Sequence, residues 1–484
     1  MVALDIYDVL EDPEHPAFRD LGGLLWTLVA TPWDWIDRRV ETVTLVGERR
    51  FRRHMSIDCR VPPAVVEVAG ELGLDRFFVP LRLVAERPLL SFDLALEGLP
   101  VPSLTRPQNT LAERAVLEAA VAQLGRPLTA DVVAAIEDVT MVGVPAGARL
   151  LRLLGLSAER PPGVVSVEAL VRWVITTMDR SFLLLADVPL DAIRHRVLFK
   201  VAEEIGPDVS PHADLPSEIG WTPTQFVFDT EDVVATNSYH FQFVAPDGLM
   251  VAGGELFGVS LGPRDDTPSE ANEAAPEGTV DTTDQPEATS APDVVSEPYV
   301  PAAGPARELA TIEFGTTASQ GQILGVHAPL DAVPDADFYR VRVRLIPSPD
   351  GIMRAAAVSA CFSTVLLLLA ALFVHRIDQP SLESSNALLL VLPGVVSTWI
   401  LRPGEHSLVS RMLRGTRTLL LISATTVYLA AAVVLGGLSE PTLRWIWFLL
   451  ALCASVPAVA LSVAVRRCRL AALPSDGTQR RSGG

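Results

Sequence analysis

A serine between two glycines is the closest match in this sequence to a catalytic motif. Gly258-Val259-Ser260-Leu261-Gly262 has the Gly-x-Ser-x-Gly spacing of a hydrolase nucleophile elbow, and His327 follows downstream. Such an elbow needs a helix directly after the serine, whereas Pro263 and a polar, acidic run follow here. The pattern therefore favours the end of a strand, and we predict no catalytic residue.

Residue usage argues against several other chemistries. Lys200 is the only lysine, and it follows Phe199, so the chain has no Gly-Lys-Ser/Thr phosphate-binding loop. The four cysteines lack Cys-x-x-Cys spacing, and none of the eight histidines lies three to five residues from another. These spacings give no zinc signature, so the sequence predicts neither a metal site nor a cofactor.

Arginine is the remaining candidate for ligand binding. Arg340, Arg342 and Arg344 alternate on one face of a predicted strand, which ends shortly before the first apolar segment. This face could bind lipid headgroups or another anionic ligand. Salt bridges to acidic residues of the same domain are the alternative interpretation.

Two other charged stretches are weaker candidates. Arg402, Glu405 and His406 lie at the cytoplasmic end of a predicted membrane span, where a loop could bind lipid or the soluble domain. An ordinary membrane-interface loop is the alternative. The arginine-rich stretch 38–60 is predicted to be a solvated strand face with paired acidic residues, or else an anion-binding patch.

Charge is distributed unevenly along the 484 residues. Residues 351–484 carry a net charge of +7, whereas the preceding 350 residues carry −26. A protein that binds nucleic acid needs a positive surface, so the acidic part argues against nucleic acid as a partner. The hydrophobic content of 49% excludes a chain that is disordered throughout.

Four apolar segments predict a C-terminal four-helix transmembrane bundle over residues 353–466, and hence the lipid bilayer as a partner. The predicted spans are 355–374, 385–401, 418–438 and 445–465. The second is short and contains Pro393-Gly394, so a re-entrant segment is the alternative. Small residues spaced four apart in the first and fourth spans predict close packing within the bundle, or a homo-oligomer contact.

Arginine placement predicts the orientation of the bundle. Arginines concentrate before the first span, between the second and third, and after the fourth. Positively charged loops remain in the cytoplasm, so we expect both termini to be cytoplasmic, with the protein in the inner cell membrane. Residues 467–484 are then a cytoplasmic tail.

The soluble part is predicted to be a β-rich, sandwich-like region with a helical insertion, which makes the chain α+β. We expect an N-terminal β-rich region over 1–106, the helical insertion over 107–180, and a sandwich-like domain over 181–262 and 307–347. Phe51–Val61 shows the strand period, with Met55, Ile57 and Cys59 on one face. Residues 263–306 are acidic and of low complexity, which predicts a disordered insertion.

Three stretches together resemble an uncharacterised family of multispanning membrane proteins of high-GC bacteria. They are 43–106, with Arg52-Arg53-His54-Met55-Ser56-Ile57-Asp58; 238–248, with Ser238-Tyr239-His240-Phe241; and 392–406, with Leu392-Pro393-Gly394-Val395 and Arg402-Pro403-Gly404-Glu405-His406. No activity is known for that family. The resemblance therefore implies only a cytoplasmic domain joined to a C-terminal bundle.

These observations favour a membrane-anchored cytoplasmic protein that senses a ligand or acts as a scaffold. An accessory subunit of a membrane transport or export complex is the alternative, with the bundle contacting a protein partner. An enzyme whose catalytic residues converge only in the fold is the third hypothesis.

Overall fold

The computed structural model describes residues 4–47, 50–85, 90–141, 146–156, 166–205, 215–230, 236–260, 307–313, 322–329, 338–377, 406–434 and 438–472. Within these ranges the chain is mixed α+β, with a sheet-rich N-terminal part and a helical C-terminal part. The predicted second span and the predicted acidic insertion lie outside the described residues.

Helices cover the sheets and form the C-terminal part. The helices of the N-terminal part are α1 (Ile6–Glu11), α2 (Pro16–Ala30), α3 (Pro63–Glu71), α4 (Arg106–Gln123), α5 (Ala130–Thr140), α6 (Gly147–Leu153), α7 (Val167–Met178) and α8 (Leu215–Glu218). Those of the C-terminal part are α9 (Ile352–Leu372), α10 (Val374–Ile377), α11 (Ser407–Met412), α12 (Arg414–Val434) and α13 (Glu440–Ala472). Helix α4 starts with a capping box formed by Thr105 and Gln108.

The described strands form three sheets. They are β1 (Ile36–Leu45), β2 (Phe51–Cys59), β3 (Arg76–Ala85), β4 (Leu90–Leu96), β5 (Leu99–Pro100), β6 (Ser181–Pro189), β7 (Val197–Ile205), β8 (Thr224–Asp229), β9 (Ser238–Val244), β10 (Leu249–Ser260), β11 (Arg307–Glu313), β12 (Ile323–Pro329) and β13 (Phe338–Pro347). A seven-stranded sheet has the order β12-β9-β1-β2-β7-β4-β5, a four-stranded sheet β11-β10-β13-β8, and a two-stranded sheet β3-β6. All pairs are antiparallel except β1 with β9.

One face of the seven-stranded sheet contributes buried residues to two hydrophobic cores. On β2, Met55, Ile57 and Cys59 pack with the N-terminal helices and with β3 and β6. Phe51, on the same face, packs instead in the core shared with the four-stranded sheet. The period-two alternation in the sequence therefore predicted the inward face of β2 correctly, because a strand with one buried face alternates in this way.

The second core has the form of a sandwich. Rings from the seven-stranded sheet meet rings from the four-stranded sheet, with Phe51 and Phe228 edge to face at 5.0 Å between centroids. Phe226, Phe241 and Phe243 fill the same layer, and all are at most 1% exposed. Two sheets whose inner faces share one aromatic core are a β-sandwich by packing.

Three helices within the described residues are long and apolar enough to cross a membrane, namely α9, α12 and α13. They correspond to the predicted first, third and fourth spans. The four-helix bundle is not confirmed, because the predicted second span falls outside the described residues. Ser359 and Ser363 of α9 and Ala454 and Ala458 of α13 are buried, so these small residues pack inside the helical part.

Candidate functional site at the membrane junction

Residues at the ends of α9 and α13, with the short helix α11, share a hydrophobic core with the sandwich. Met353 of α9, Met412 of α11 and Cys468 of α13 are at most 4% exposed and belong to the same core as Leu249 and Leu345. Only Ser348 to Gly351 separate β13 from α9, and the Ser348 amide donates to the Gly248 carbonyl at 2.8 Å. The soluble part is therefore packed against the helices rather than tethered by a long linker.

A short segment lies at the centre of this contact, and we call Leu215–Trp221 the junction wedge. At Gly220, with φ of +80°, a Cβ atom would lie 3.0 Å from Met353 Cε of α9 and 3.5 Å from Cys468 Sγ of α13. At Gly415, in α12, a Cβ atom would lie only 2.8 Å from Ile219 Cγ1. A side chain would be strained at Gly220 and crowded at Gly415, so the wedge lies close to α9, α12 and α13.

Trp221 extends the wedge along α13. Its Nε1 donates to the Ala460 carbonyl at 3.2 Å, and the Arg467 guanidinium lies 5.6 Å from the ring centroid. Ala460 belongs to the apolar part of α13, whereas Arg467 follows that part. A tryptophan between an apolar segment and a cation is typical of a membrane–water interface.

The helix ends at this junction carry a group of arginines. They are Arg354 at the start of α9; Arg411, Arg414 and Arg417 around the start of α12; and Arg466, Arg467 and Arg469 near the end of α13. Arg417 donates to Ser410 Oγ at 2.7 Å, and Arg469 lies 3.3 Å from Asp350 Oδ1. The same end of the helices therefore contacts the soluble part and carries the positive charge.

The three arginines predicted as a headgroup site lie on β13, and each is paired within the four-stranded sheet. Arg340 Nε is 2.7 Å from Asp229 Oδ1 on β8. Arg342 and Arg344 both bind Glu255 on β10, and Arg342 also lies over the Phe257 ring at 4.6 Å. These contacts are the salt bridges of the alternative interpretation. The ligand-binding role stays a prediction, and a ligand would have to compete with these carboxylates.

The other predicted site is only partly described. Arg402 and Glu405 lie outside the described residues, whereas His406 caps α11, with its Nδ1 accepting from the Leu408 amide at 3.3 Å. Leu408 and Val409 belong to the core shared with the sandwich. His406 therefore lies at the membrane junction, whereas Arg340, Arg342 and Arg344 extend along the outer face of the four-stranded sheet.

The structure also contains a buried ionic layer that the sequence did not predict. Arg53 of β2 lies 2.9 Å from Glu41 Oε1 of β1 and 3.5 Å from Glu203 Oε1 of β7. Arg82 lies 2.9 Å from Glu203, and the Tyr239 hydroxyl donates to Glu41 at 2.7 Å. The predicted solvated face for stretch 38–60 is therefore wrong for Arg39 and Arg53, which are 0% and 4% exposed.

Electrostatics explains how these charges remain buried. Burial alone would lower the pKa of Arg53, but the carboxylates of Glu41 and Glu203 outweigh it, and the pKa is raised. The layer lies on the inward face of the seven-stranded sheet, next to residues of both hydrophobic cores. Removing one member of such a group leaves an uncompensated buried charge, so each of these ions depends on its neighbours.

Other residues of chemical interest are placed as follows. Ser260 is the last residue of β10 and pairs with Arg307, so the Gly-x-Ser-x-Gly match is a strand end. Burial raises the pKa of the Cys59 thiol to about 12, which makes this cysteine unreactive. Among the described residues, no group of three or more histidines, cysteines and carboxylates is arranged to hold a metal ion.

Comparisons with known proteins add no assignment to this geometry: no family model matches the chain, and no curated protein is similar to it.

Proposed function

We propose that this is a membrane-anchored sensing or scaffolding protein of the cytoplasmic face. In this proposal a bundle of four spanning helices, with residues 385–401 as the second, holds the β-rich part at the inner membrane. Both termini are cytoplasmic. Ligand or partner binding to the β-rich part is transmitted to the helices through the junction wedge.

The observation that carries the proposal is the contact of the wedge with all three described spanning helices. Gly220 and Trp221 touch α9 and α13, and Ile219 touches α12. A flexible anchor would not need such contacts, because a linker alone retains a domain at a membrane. A packed junction allows a change on one side to shift packing on the other.

The orientation is supported by the arginines at the same junction. Guanidinium groups at helix ends favour the cytoplasmic side, and here they flank the helix ends that contact the acidic soluble part. An Asp93→Cys variant tests this, because Asp93 is exposed on the outer face of the seven-stranded sheet. A membrane-impermeant maleimide should label the variant in inverted vesicles and not in intact cells. Labelling in intact cells would refute the orientation.

Photo-crosslinking in native membranes tests the function itself. In one variant a photoreactive residue replaces Lys200, which is exposed on the outer face of the seven-stranded sheet. In the matched variant it replaces Phe362, which is exposed on α9. Sensing or scaffolding predicts a discrete crosslinked product from position 200 and only lipid adducts from position 362. A discrete protein adduct from position 362 alone would instead support an accessory subunit of a membrane complex.

A further inference from the structure

Two histidines from distant parts of the chain face each other on the outer surface of the seven-stranded sheet. His240 lies on β9 and His327 on β12, and the two residues are directly opposite in the strand register. Their ring centroids are 4.3 Å apart. Strand β12 is the edge of the sheet, and His327 is exposed, so the pair is open to solvent.

The Nε2 atoms of both rings converge on one oxygen atom. Ser238 Oγ lies 3.1 Å from His240 Nε2 and 3.1 Å from His327 Nε2. A hydroxyl has a single proton, so it can donate to only one of the two rings, and the other ring must donate to the oxygen. Two ring nitrogens and a hydroxyl oxygen therefore point at one small region of space.

We propose that His240 and His327, with Ser238 beside them, form a binding site for a divalent transition-metal ion of the zinc class. Imidazole nitrogen is the ligand these ions favour, and directly opposed side chains on paired strands are close enough to bind one ion together. The ion would take the place of the two hydrogen bonds at Nε2. The ring that accepts from Ser238 already has its proton on Nδ1, and the ring that donates would move its proton from Nε2 to Nδ1. Water would complete the coordination, so the site is open rather than structural.

One neighbouring charge opposes metal binding at the pair. Arg38 lies on β1, the strand that pairs with β9, and it is close enough to His240 to act on it electrostatically. Its guanidinium repels a dication, so it limits the affinity. This opposing effect gives the proposal a specific test, because removal of Arg38 should strengthen binding whereas removal of either histidine should weaken it.

The test measures Zn²⁺ binding to the full-length protein in detergent after treatment with EDTA, by calorimetry and by the shift in melting temperature. His327→Ala and His240→Ala should each weaken binding at least about tenfold, since even the loss of a residue that only orients a ligand costs that much. Arg38→Ala should strengthen it. The matched control is His54→Ala, because His54 is also an exposed histidine on the outer face, on β2, and it should leave binding unchanged.

A second measurement separates loss of a ligand from loss of folding. Bound Cu²⁺ should give an electron paramagnetic resonance spectrum with two nitrogen ligands in the unmodified protein and one in His327→Ala. Exposed His327 is not needed for packing, so that variant should melt at the same temperature without metal. Zn²⁺ binding that is absent, or that His54→Ala weakens as much as His327→Ala does, would overturn the proposal. The site does not depend on the proposed function, because the metal is tested without a membrane or a partner.

Discussion

Replacing Arg53 with methionine should destabilise the protein strongly, because it removes a guanidinium from the Glu41 carboxylate in the buried ionic layer. Arg53 lies 2.9 Å from Glu41 and 3.5 Å from Glu203, and it donates to the Asp229 carbonyl at 3.0 Å. After the change, Glu41 keeps the Tyr239 hydroxyl but loses this guanidinium. Breaking a buried ion pair by removing one partner costs about 3–5 kcal/mol.

A loss of that size lowers the melting temperature by roughly 4–7 °C for a unit of about 350 residues, the length of the chain before α9. Tryptophan fluorescence of the full-length protein in detergent can follow it. The control is Arg50→Met, which removes a similar pair at the surface: Arg50 is 64% exposed and lies 3.5 Å from Glu204. Exposed pairs of this kind contribute at most about 1 kcal/mol.

A double variant tests the physical reason for the loss. Glu41→Gln removes the carboxylate that Arg53→Met leaves behind, so the two changes together should be more stable than Arg53→Met alone. If Arg53→Met is no less stable than Arg50→Met, the ionic layer does not hold the sheet as described. If the double variant is less stable than Arg53→Met, uncompensated charge is not the cause of the loss.

Three further predictions concern the junction, a thiol and an ion pair. Gly415→Val should separate the wedge from α12, because its Cβ atom would lie 2.8 Å from Ile219 Cγ1. Limited proteolysis should then cleave the chain near residue 219 faster than in the unmodified protein. The control is Gly23→Val, where a Cβ atom meets nothing within 4 Å, and it should leave this cleavage rate unchanged. Cys59 should resist iodoacetamide at pH 8 in the folded protein, because burial raises the pKa of its thiol to about 12. The same thiol should react in denaturant, as mass spectrometry of its peptide can show. Modification of Cys59 in the folded protein would contradict its burial. Glu255→Gln should lower the free energy of unfolding by about 1–3 kcal/mol, because the Glu255 carboxylate accepts from both Arg342 and Arg344. Chemical denaturation measures this loss, and an unchanged midpoint would show that the two pairs contribute little to stability.

The sequence predicted local features of the fold well because local rules determine them. Alternation on β2 gave the inward positions of Met55, Ile57 and Cys59, and the apolar lengths gave α9, α12 and α13. Each of these features depends on residues within a few positions of one another, so a single sequence contains the whole signal.

Features that depend on pairing between distant strands could not be predicted. Arg53 is in phase with the inward residues of β2, but its burial depends on Glu203, which is 150 positions away. His240 and His327 are 87 positions apart, so a search for histidines three to five residues apart cannot find them. No sequence pattern predicted the junction wedge. Its closest contacts with the helices are made at Gly220 and at Gly415 of α12, and a single glycine does not mark a contact site in a sequence.

The wedge also explains why the packing of the soluble part against the helices is selective. Apolar contacts alone would let the sheets move slightly relative to the helices, because the flexible side chains of Met353 and Met412 can fill the space that opens. The contact at Gly415 is tighter, because the position that a Cβ atom would take lies 2.9 Å from the Glu218 backbone. Gly220 is constrained by its φ of +80°, whereas its nearest neighbour, Met353 Cε, is the flexible end of a side chain. The hydrogen bond from Trp221 to the Ala460 carbonyl adds a directional contact to α13. One arrangement of the helices against the sheets is thus favoured over slightly displaced ones.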